Sequence, residues 1–313
     1  METTHGAREI GRVAVVGAGT MGWQIAALTA ASDRPVALFD AVPEAAERAL
    51  ERMRAELPTV IASGGMPGTP EAIIGRVRIA SSLADAVGDA DLVIEAVKED
   101  LGVKRTLFAQ LDEAAPRAIL ATNSSSLPSA LLAESVADPT RLLNLHFFAP
   151  IWVRPMLEIM SCGQTSAEVL AIADRFGRSL GLTTATVRGQ SMGFIINRVW
   201  RAVKRESLRV VDEGHADPED VDRLWMRFFG SDFGPFGMMD TVGLDTVADI
   251  EAAYVAVATD PTDRVSPTLR RLIGEGRLGE KTGGGFYDYP NPAYRQPGWL
   301  KGKAEADTDT TSD

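Results

Sequence analysis

The chain has 313 residues, 45% of them hydrophobic, with 32 basic against 43 acidic side chains and a formal net charge of −11. Two domains with full cores are the expectation at this length. The acidic balance argues against nucleic acid or an anionic membrane as the main partner, and no apolar run approaches the roughly 18 residues that span a bilayer. Met1-Glu2-Thr3-Thr4-His5-Gly6 lacks the charged and apolar regions of a signal peptide. The single cysteine, Cys162, permits no internal disulfide, which fits a reducing cytoplasm; it reads as a packed residue at a strand end.

Ile10-Gly11-Arg12-Val13-Ala14-Val15-Val16 predicts a buried parallel strand, and the helix Met21–Ala31 follows it. Between them stands Gly17-Ala18-Gly19-Thr20-Met21-Gly22. Three glycines at this spacing, between a strand and a helix, make a dinucleotide-binding turn. The first permits the tight turn, the second lets backbone approach a pyrophosphate, and the third lets helix and strand pack closely. The helix start supplies N–H groups and partial positive charge, so Gly17, Gly19, Thr20, Met21 and Gly22 are assigned to the cofactor. The next strand, Val36–Phe39, ends at Asp40 with no Arg or Lys directly after it. A carboxylate there accepts hydrogen bonds from adenosine ribose hydroxyls and repels a 2′-phosphate, which selects NAD over NADP. A plain cap on the helix beginning near Pro43 is the other reading of Asp40; the glycine loop already demands a ribose partner and favours the first.

Further strands are predicted at Val77–Ala80, Leu92–Ala96, Ala118–Thr122 and Leu142–Phe148, with helices at Glu44–Ile61, Val103–Glu113 and Pro128–Ala133. Gly64-Gly65-Met66-Pro67-Gly68 breaks the second helix and marks a helical excursion from the sheet. Met156–Met160 and Thr183–Val187 flank the helix Ala167–Leu180 and extend the sheet at its edge. The alternation is that of a Rossmann-type, doubly wound, mostly parallel α/β sheet. Beyond Gly189 the pattern turns helical, with Ile195–Glu213, Pro218–Met226 (Asp217 as N-cap), Val242–Val257 and Pro267–Glu275. The expected organisation is an NAD-binding domain over residues 1–189, an all-helical C-terminal domain over 190–300, and a disordered tail over 301–313.

Three histidines are present. His5 lies at the chain start and His215 in a turn between helices. His146 ends a strand, where open α/β sheets bind their ligands. Imidazole titrates near neutrality and can take a hydroxyl proton while a hydride leaves to NAD; a packed strand-end histidine is the plainer alternative. A histidine base needs an acceptor on its other nitrogen. Glu158, a carboxylate in an otherwise apolar strand, would supply one, although an exposed edge position also accounts for it. Asn123-Ser124-Ser125-Ser126 brings hydroxyls to the same sheet end. Ser126 reads as the cap of the helix at Pro128, which leaves Ser125 for the substrate oxygen. No G-x-S-x-G elbow surrounds it, so it is no hydrolase nucleophile. No metal is called for.

The assembled motifs resemble the 3-hydroxyacyl-CoA dehydrogenase family from about Arg12 to Tyr289. They are Gly17–Ala26, Val93–Glu99 (V-I-E-A-V-K-E), Asn123–Leu127 (N-S-S-S-L), His146–Pro150 (H-F-F-A-P), Gly193–Arg198 (G-F-I-I-N-R), Gly234–Thr246 and Lys281–Tyr287. The resemblance implies oxidation of an L-3-hydroxyacyl-CoA in fatty-acid metabolism, a homodimer through the helical domain, and an active site between the two domains. By motif position it makes His146 the base, Glu158 its paired carboxylate, Ser125 a contact to the substrate oxygen and Asn197 the family asparagine of the second domain. Glu99, Lys104 and Asn123 fall on the cofactor side of the cleft.

Four departures qualify it. Ala149 stands where the family has asparagine, and Met192 where it has proline. Ile151-Trp152-Val153-Arg154 is bulkier and more basic than the usual run, which makes Trp152 and Arg154 candidate substrate contacts. The excursion helix, lysine-rich in acyl-CoA enzymes, here sets Glu44, Glu47, Glu51 and Glu56 against Arg48, Arg52 and Arg54. A carrier-protein thioester or a free hydroxy acid is therefore the alternative substrate. An inactive NAD-binding protein is a further alternative, supported by Ala149 alone.

Overall fold

The computed structural model describes residues 9–256, 258, 260 and 263–302; His5, Val257 and the tail from Lys303 onward lie outside them. The described chain divides into two compact units, one ending at Ile196 and the other beginning at Asn197.

The first unit alternates strand and helix: β1 (Val13–Val16), α1 (Thr20–Ala31), β2 (Val36–Phe39), α2 (Pro43–Ala62), α3 (Pro70–Gly75), β3 (Val77–Ile79), α4 (Leu83–Val87), β4 (Leu92–Glu95), α5 (Leu101–Ala114) and β5 (Ile119–Thr122). Then come β6 (Leu142–Phe147), β7 (Met156–Ser161), α6 (Ala167–Ser179) and β8 (Thr183–Val187). The eight strands form one sheet in the order β3-β2-β1-β4-β5-β6-β7-β8. Every neighbouring pair is parallel except β6–β7. The strand order reverses between β1 and β4, the switch point at which ligands bind in such sheets.

Alternation of side chains builds both faces. Val13 and Val15 pack with Leu38, Ile94 and Leu145 beneath α1 and α2, whereas Ala14 and Val16 pack with Val93, Leu120 and the α5 residues Phe108 and Leu111. Helix α1 is buried continuously from Gly22 to Ala30, as its apolar sequence requires. Helix α2 buries Ala46, Ala49, Met53, Leu57 and Val60, spaced by three or four, and leaves its charged residues outward.

Several elements differ from the sequence expectation. The segment after Pro128 is a 3₁₀ turn, Ser129–Ser135, in place of the helix Pro128–Ala133, and no side chain caps it. Helices α3 and α4 were not foreseen: they have six and five residues, too few for an apolar period, and hydroxyls of Thr69 and Ser82 cap them.

The second unit is helical: α7 (Ile196–Asp212, whose first residue closes the first unit), α8 (Pro218–Phe229), α9 (Pro235–Val242), α10 (Leu244–Val255) and α11 (Pro267–Gly274). The helix read as Val242–Val257 is interrupted: Gly243, at φ +96°, ends α9 and starts α10. Phe236, Met239, Leu244, Val247, Leu269 and Leu272 form this unit's core.

Two fully buried aspartates organise it. Asp222 accepts hydrogen bonds from the amides of Phe236 and Gly237 and from the Tyr287 hydroxyl. Asp240 accepts from the amides of Phe286 and Tyr287 and from the Tyr289 hydroxyl. Burial pushes the Asp222 carboxyl up to about 6 against the pull of its three donors. The Gly234–Thr246 and Lys281–Tyr287 motifs are thus explained by packing within this unit.

Candidate functional site

The glycine loop leaves β1 with Gly17 at φ +105°, and a Cβ at that position would lie 2.5 Å from the Ala96 carbonyl oxygen. A Cβ on Gly22 would lie 1.8 Å from the Gly17 carbonyl oxygen, so α1 crosses β1 at glycine distance. Gly19 meets nothing within 4 Å, and no side chain caps α1 behind it. The helix therefore presents its uncapped first N–H groups to an open groove, as pyrophosphate binding requires. Asp40 stands at the mouth of this loop. One of its oxygens accepts from the Ala18 amide at 2.8 Å and the other from the Val42 amide at 2.9 Å. The N-cap position of α2 is Val42, so Asp40 is not that helix's cap. Its remaining lone pairs are available to ribose hydroxyls. A groove of about 750 Å³ bounded by Gly19, Thr20, Asp40, Arg48 and Arg52 adjoins this carboxylate.

A second cleft, about 490 Å³, opens at the carboxyl ends of β1, β4, β5 and β6. It shares Gly19 and Thr20 with the first groove and adds Met21, Glu99, Lys104, Asn123, Ser125, His146 and Ala149. One wall is a buried charge network that begins at Glu95, the last residue of β4 and fully buried. Glu95 accepts from Lys104 Nζ at 2.6 Å and from the Thr122 hydroxyl at 2.6 Å. The same ammonium lies 3.3 Å from Glu99. Burial opposes ionisation of Glu99, but the hydroxyls of Ser124 and Ser126 and the Lys104 ammonium hold its carboxyl below the usual range. The Ser126 hydroxyl is thus taken by Glu99 and does not cap the segment at Pro128. Ser125 is left exposed in the cleft with no hydrogen-bond partner among the described residues. The Asn123 side-chain oxygen accepts from the Phe147 amide at 2.9 Å, which leaves the Asn123 NH₂ group free to donate.

His146 comes near the end of β6, directly opposite Glu158 in the antiparallel β6–β7 register. Both are buried, and Nδ1 of the imidazole lies 2.9 Å from Glu158 Oε2. The contact lets Nδ1–H donate to the carboxylate, which leaves Nε2 for a substrate proton. The second Glu158 oxygen accepts from the amides of Ile195 at 3.0 Å and Ile196 at 2.8 Å. Rings of Phe148 and Phe194 lie on the imidazole at centroid distances of 4.2 and 4.8 Å. A fixed imidazole with one nitrogen free, in a cleft contiguous with a dinucleotide loop, can move a proton beside a hydride acceptor.

Asn197 is the first residue of the second unit, in the opening turn of α7. Trp152 and Arg154 do not line the cleft. Trp152 packs on Trp23 at 5.4 Å and against Gly65, while the Arg154 guanidinium donates to the Ala149 carbonyl. Cys162 is buried, with its thiol on the Pro139 carbonyl, and His215 is exposed beside Glu213. Sequence reasoning passed over Glu95 and Phe194. Glu95 carried a signal, a carboxylate closing the apolar run Leu92-Val93-Ile94; Phe194 lies in the G-F-I-I-N-R motif, but a phenylalanine there gives no sign of a polar role.

Two family models match in sequence: the NAD binding domain of 3-hydroxyacyl-CoA dehydrogenase over residues 12–190 and its C-terminal domain over 193–289. The chain is 35% identical to a probable 3-hydroxyacyl-CoA dehydrogenase of Caenorhabditis elegans, covering 90% of this chain and 97% of that one. It is similar to the solved structure of (S)-3-hydroxybutyryl-CoA dehydrogenase from Ralstonia eutropha, with a TM-score of 0.83 and 29% identity over 90% of this chain and all of that one. A diketoreductase described as acting on dicarbonyl compounds matches at a TM-score of 0.81 and 33% identity over the same shares. With the dinucleotide loop, Asp40 and both matched domains in place, the chain belongs to the 3-hydroxyacyl-CoA dehydrogenase family, NAD-dependent oxidoreductases that act on CH–OH groups.

Proposed function

We propose that this protein oxidises the 3-hydroxyl of an L-3-hydroxyacyl-CoA to the 3-oxo form, with His146 as general base. The observation that carries the reading is the buried His146–Glu158 pair, 2.9 Å apart, facing a cleft that includes the glycine-loop residues Gly19 to Met21. NAD, when bound, would supply the hydride acceptor for C3. His146 Nε2 takes the hydroxyl proton, and Glu158 stabilises the imidazolium that forms. Ser125 holds the reacting oxygen, and Asn197 is assigned the same duty by its motif position alone. Gly17, Gly19, Thr20, Met21 and Gly22 cradle the pyrophosphate, Asp40 takes the ribose, and Glu99, Lys104 and Asn123 serve the nicotinamide side. The same reading makes the protein a cytoplasmic homodimer of fatty-acid metabolism. Among the described residues no helix is long and apolar enough to cross a membrane.

A second reading changes only the substrate handle. Helix α2 balances Arg48, Arg52 and Arg54 with four glutamates, which weakens its hold on the phosphates of CoA. The similar diketoreductase is described as acting on dicarbonyl compounds. A carrier-protein thioester or a free hydroxy acid then replaces the CoA ester.

The test is NADH formation from L-3-hydroxybutyryl-CoA beside free 3-hydroxybutyrate, for the wild type and for His146→Ala. The expected result is turnover of the thioester alone. The variant should lose about 10² to 10⁴ in kcat with unchanged NADH affinity. Near wild-type turnover by the variant would remove His146 from the mechanism. Turnover of the free acid alone would establish the second reading.

A further inference from the structure

We propose that Phe194 is a positioning residue for the His146–Glu158 pair, a role that rests on the reading of His146 as the base. Phe194 has φ +54°, a left-handed conformation shared among the described non-glycine residues only with Asp33. It follows Gly193 at φ +76°, so the chain passes through two left-handed residues in succession just before α7. Glycine occupies this conformation without strain, whereas a phenylalanine persists there only where its side chain is worth keeping. The Phe194 ring is 2% exposed, clusters with Met160 and Val187, and lies 4.8 Å from the imidazole of His146. Its carbonyl accepts from the Ser191 hydroxyl at 2.9 Å, which ties the turn to the chain before it.

The turn acts on the pair from two sides. Immediately beyond Phe194, the amides of Ile195 and Ile196 converge on Glu158 Oε1, so the carboxylate cannot swing away from the histidine. The ring packs on the imidazole beside Phe148 and so restrains it with Nδ1 on Glu158. A residue that only filled the core would need neither the left-handed backbone nor contact with the imidazole.

The experiment compares Phe194→Leu and Ser191→Ala with the wild type. Phe194→Leu keeps apolar bulk but loses the flat ring; Ser191→Ala keeps the ring and loosens the turn should the first variant fail to fold. Steady-state kinetics with L-3-hydroxybutyryl-CoA and NAD are read beside the imidazole tautomer from ¹⁵N-histidine spectra. With three histidines in the chain, His146→Ala identifies the relevant signals. Phe194→Leu should lower kcat between about tenfold and a hundredfold, as expected for a misplaced reacting group, with the KM for NAD within about twofold. The His146 signals should move from a single Nδ1–H form to a mixture of tautomers, with a smaller change of the same kind in Ser191→Ala. A folded Phe194→Leu or Ser191→Ala with wild-type kcat and a single tautomer overturns the proposal. If His146→Ala itself keeps its turnover, the base reading has failed, an outcome separable from failure of the Phe194 role alone.

Discussion

One carboxylate at the end of β2 holds the glycine loop, and the proposed function gives it the ribose. Asp40 spends one lone pair of each oxygen on the amides of Ala18 and Val42, and its charge would repel a 2′-phosphate brought beside it. Asp40→Ala is expected to shift the ratio of kcat/KM for NAD over NADP toward NADP by roughly tenfold to a hundredfold, the scale of a hydrogen bond to a charged group. The rate with saturating NAD should change little. An unchanged ratio would mean that Asp40 serves only the two amides. Residue-level chemistry was the most legible part of this chain: Asp40, His146 and Glu158 each stand out as a charged or titratable side chain in or at the end of an apolar strand, and such a group needs a partner. Ser126 was misread because its hydroxyl faces Glu99, 27 residues away, and not the turn beside it.

Among the elements, α9 and the segment after α11 show how a motif with no catalytic group can still be demanding. Gly285 lies where a Cβ would be 2.0 Å from Asp240 Oδ1, the oxygen that accepts the Phe286 amide. Gly285→Ala should therefore displace a buried hydrogen-bonded carboxylate and destabilise the protein by about 3 kcal/mol or more. Gly274→Ala, with nothing within 4 Å of the added Cβ, is expected to be neutral or slightly stabilising. Thermal unfolding of the two variants decides it; equal melting temperatures would show that Asp240 can yield without cost. The elements missed from sequence failed for local reasons. The short α3 and α4 rest on one hydroxyl cap each, and α9 starts on Asp222, which accepts the Phe236 amide 14 residues on.

For the whole molecule, the surface of α8 bears on assembly. Leu224 is 72% exposed, Phe228 83% and Phe229 60%. Phe229 stacks on Trp225, so the aromatic side chains form one apolar patch on a chain of otherwise acidic balance. The proposed homodimer would supply an occupant for such a patch. Sedimentation of the wild type should give twice the chain mass, and Phe228→Glu should give a folded protein of the single-chain mass. A dimer unaffected by Phe228→Glu would leave the patch outside the interface.

Legible in the residue order alone were the strand–glycine–helix turn, the acidic residue after β2, the alternating α/β order with its helical successor, and the histidine at a strand end. Each of these depends on residues within a few positions of one another, where spacing and local conformational preference decide the outcome. How the histidine is held came only with the folded chain. The antiparallel β6–β7 register sets His146 opposite Glu158, and a left-handed turn delivers the amides of Ile195 and Ile196 to that carboxylate from 37 and 38 residues away. The buried joining of Glu95 to Lys104 and Thr122 is likewise a product of assembly. Strand register and backbone handedness far along the chain are set by packing, which no window of sequence contains.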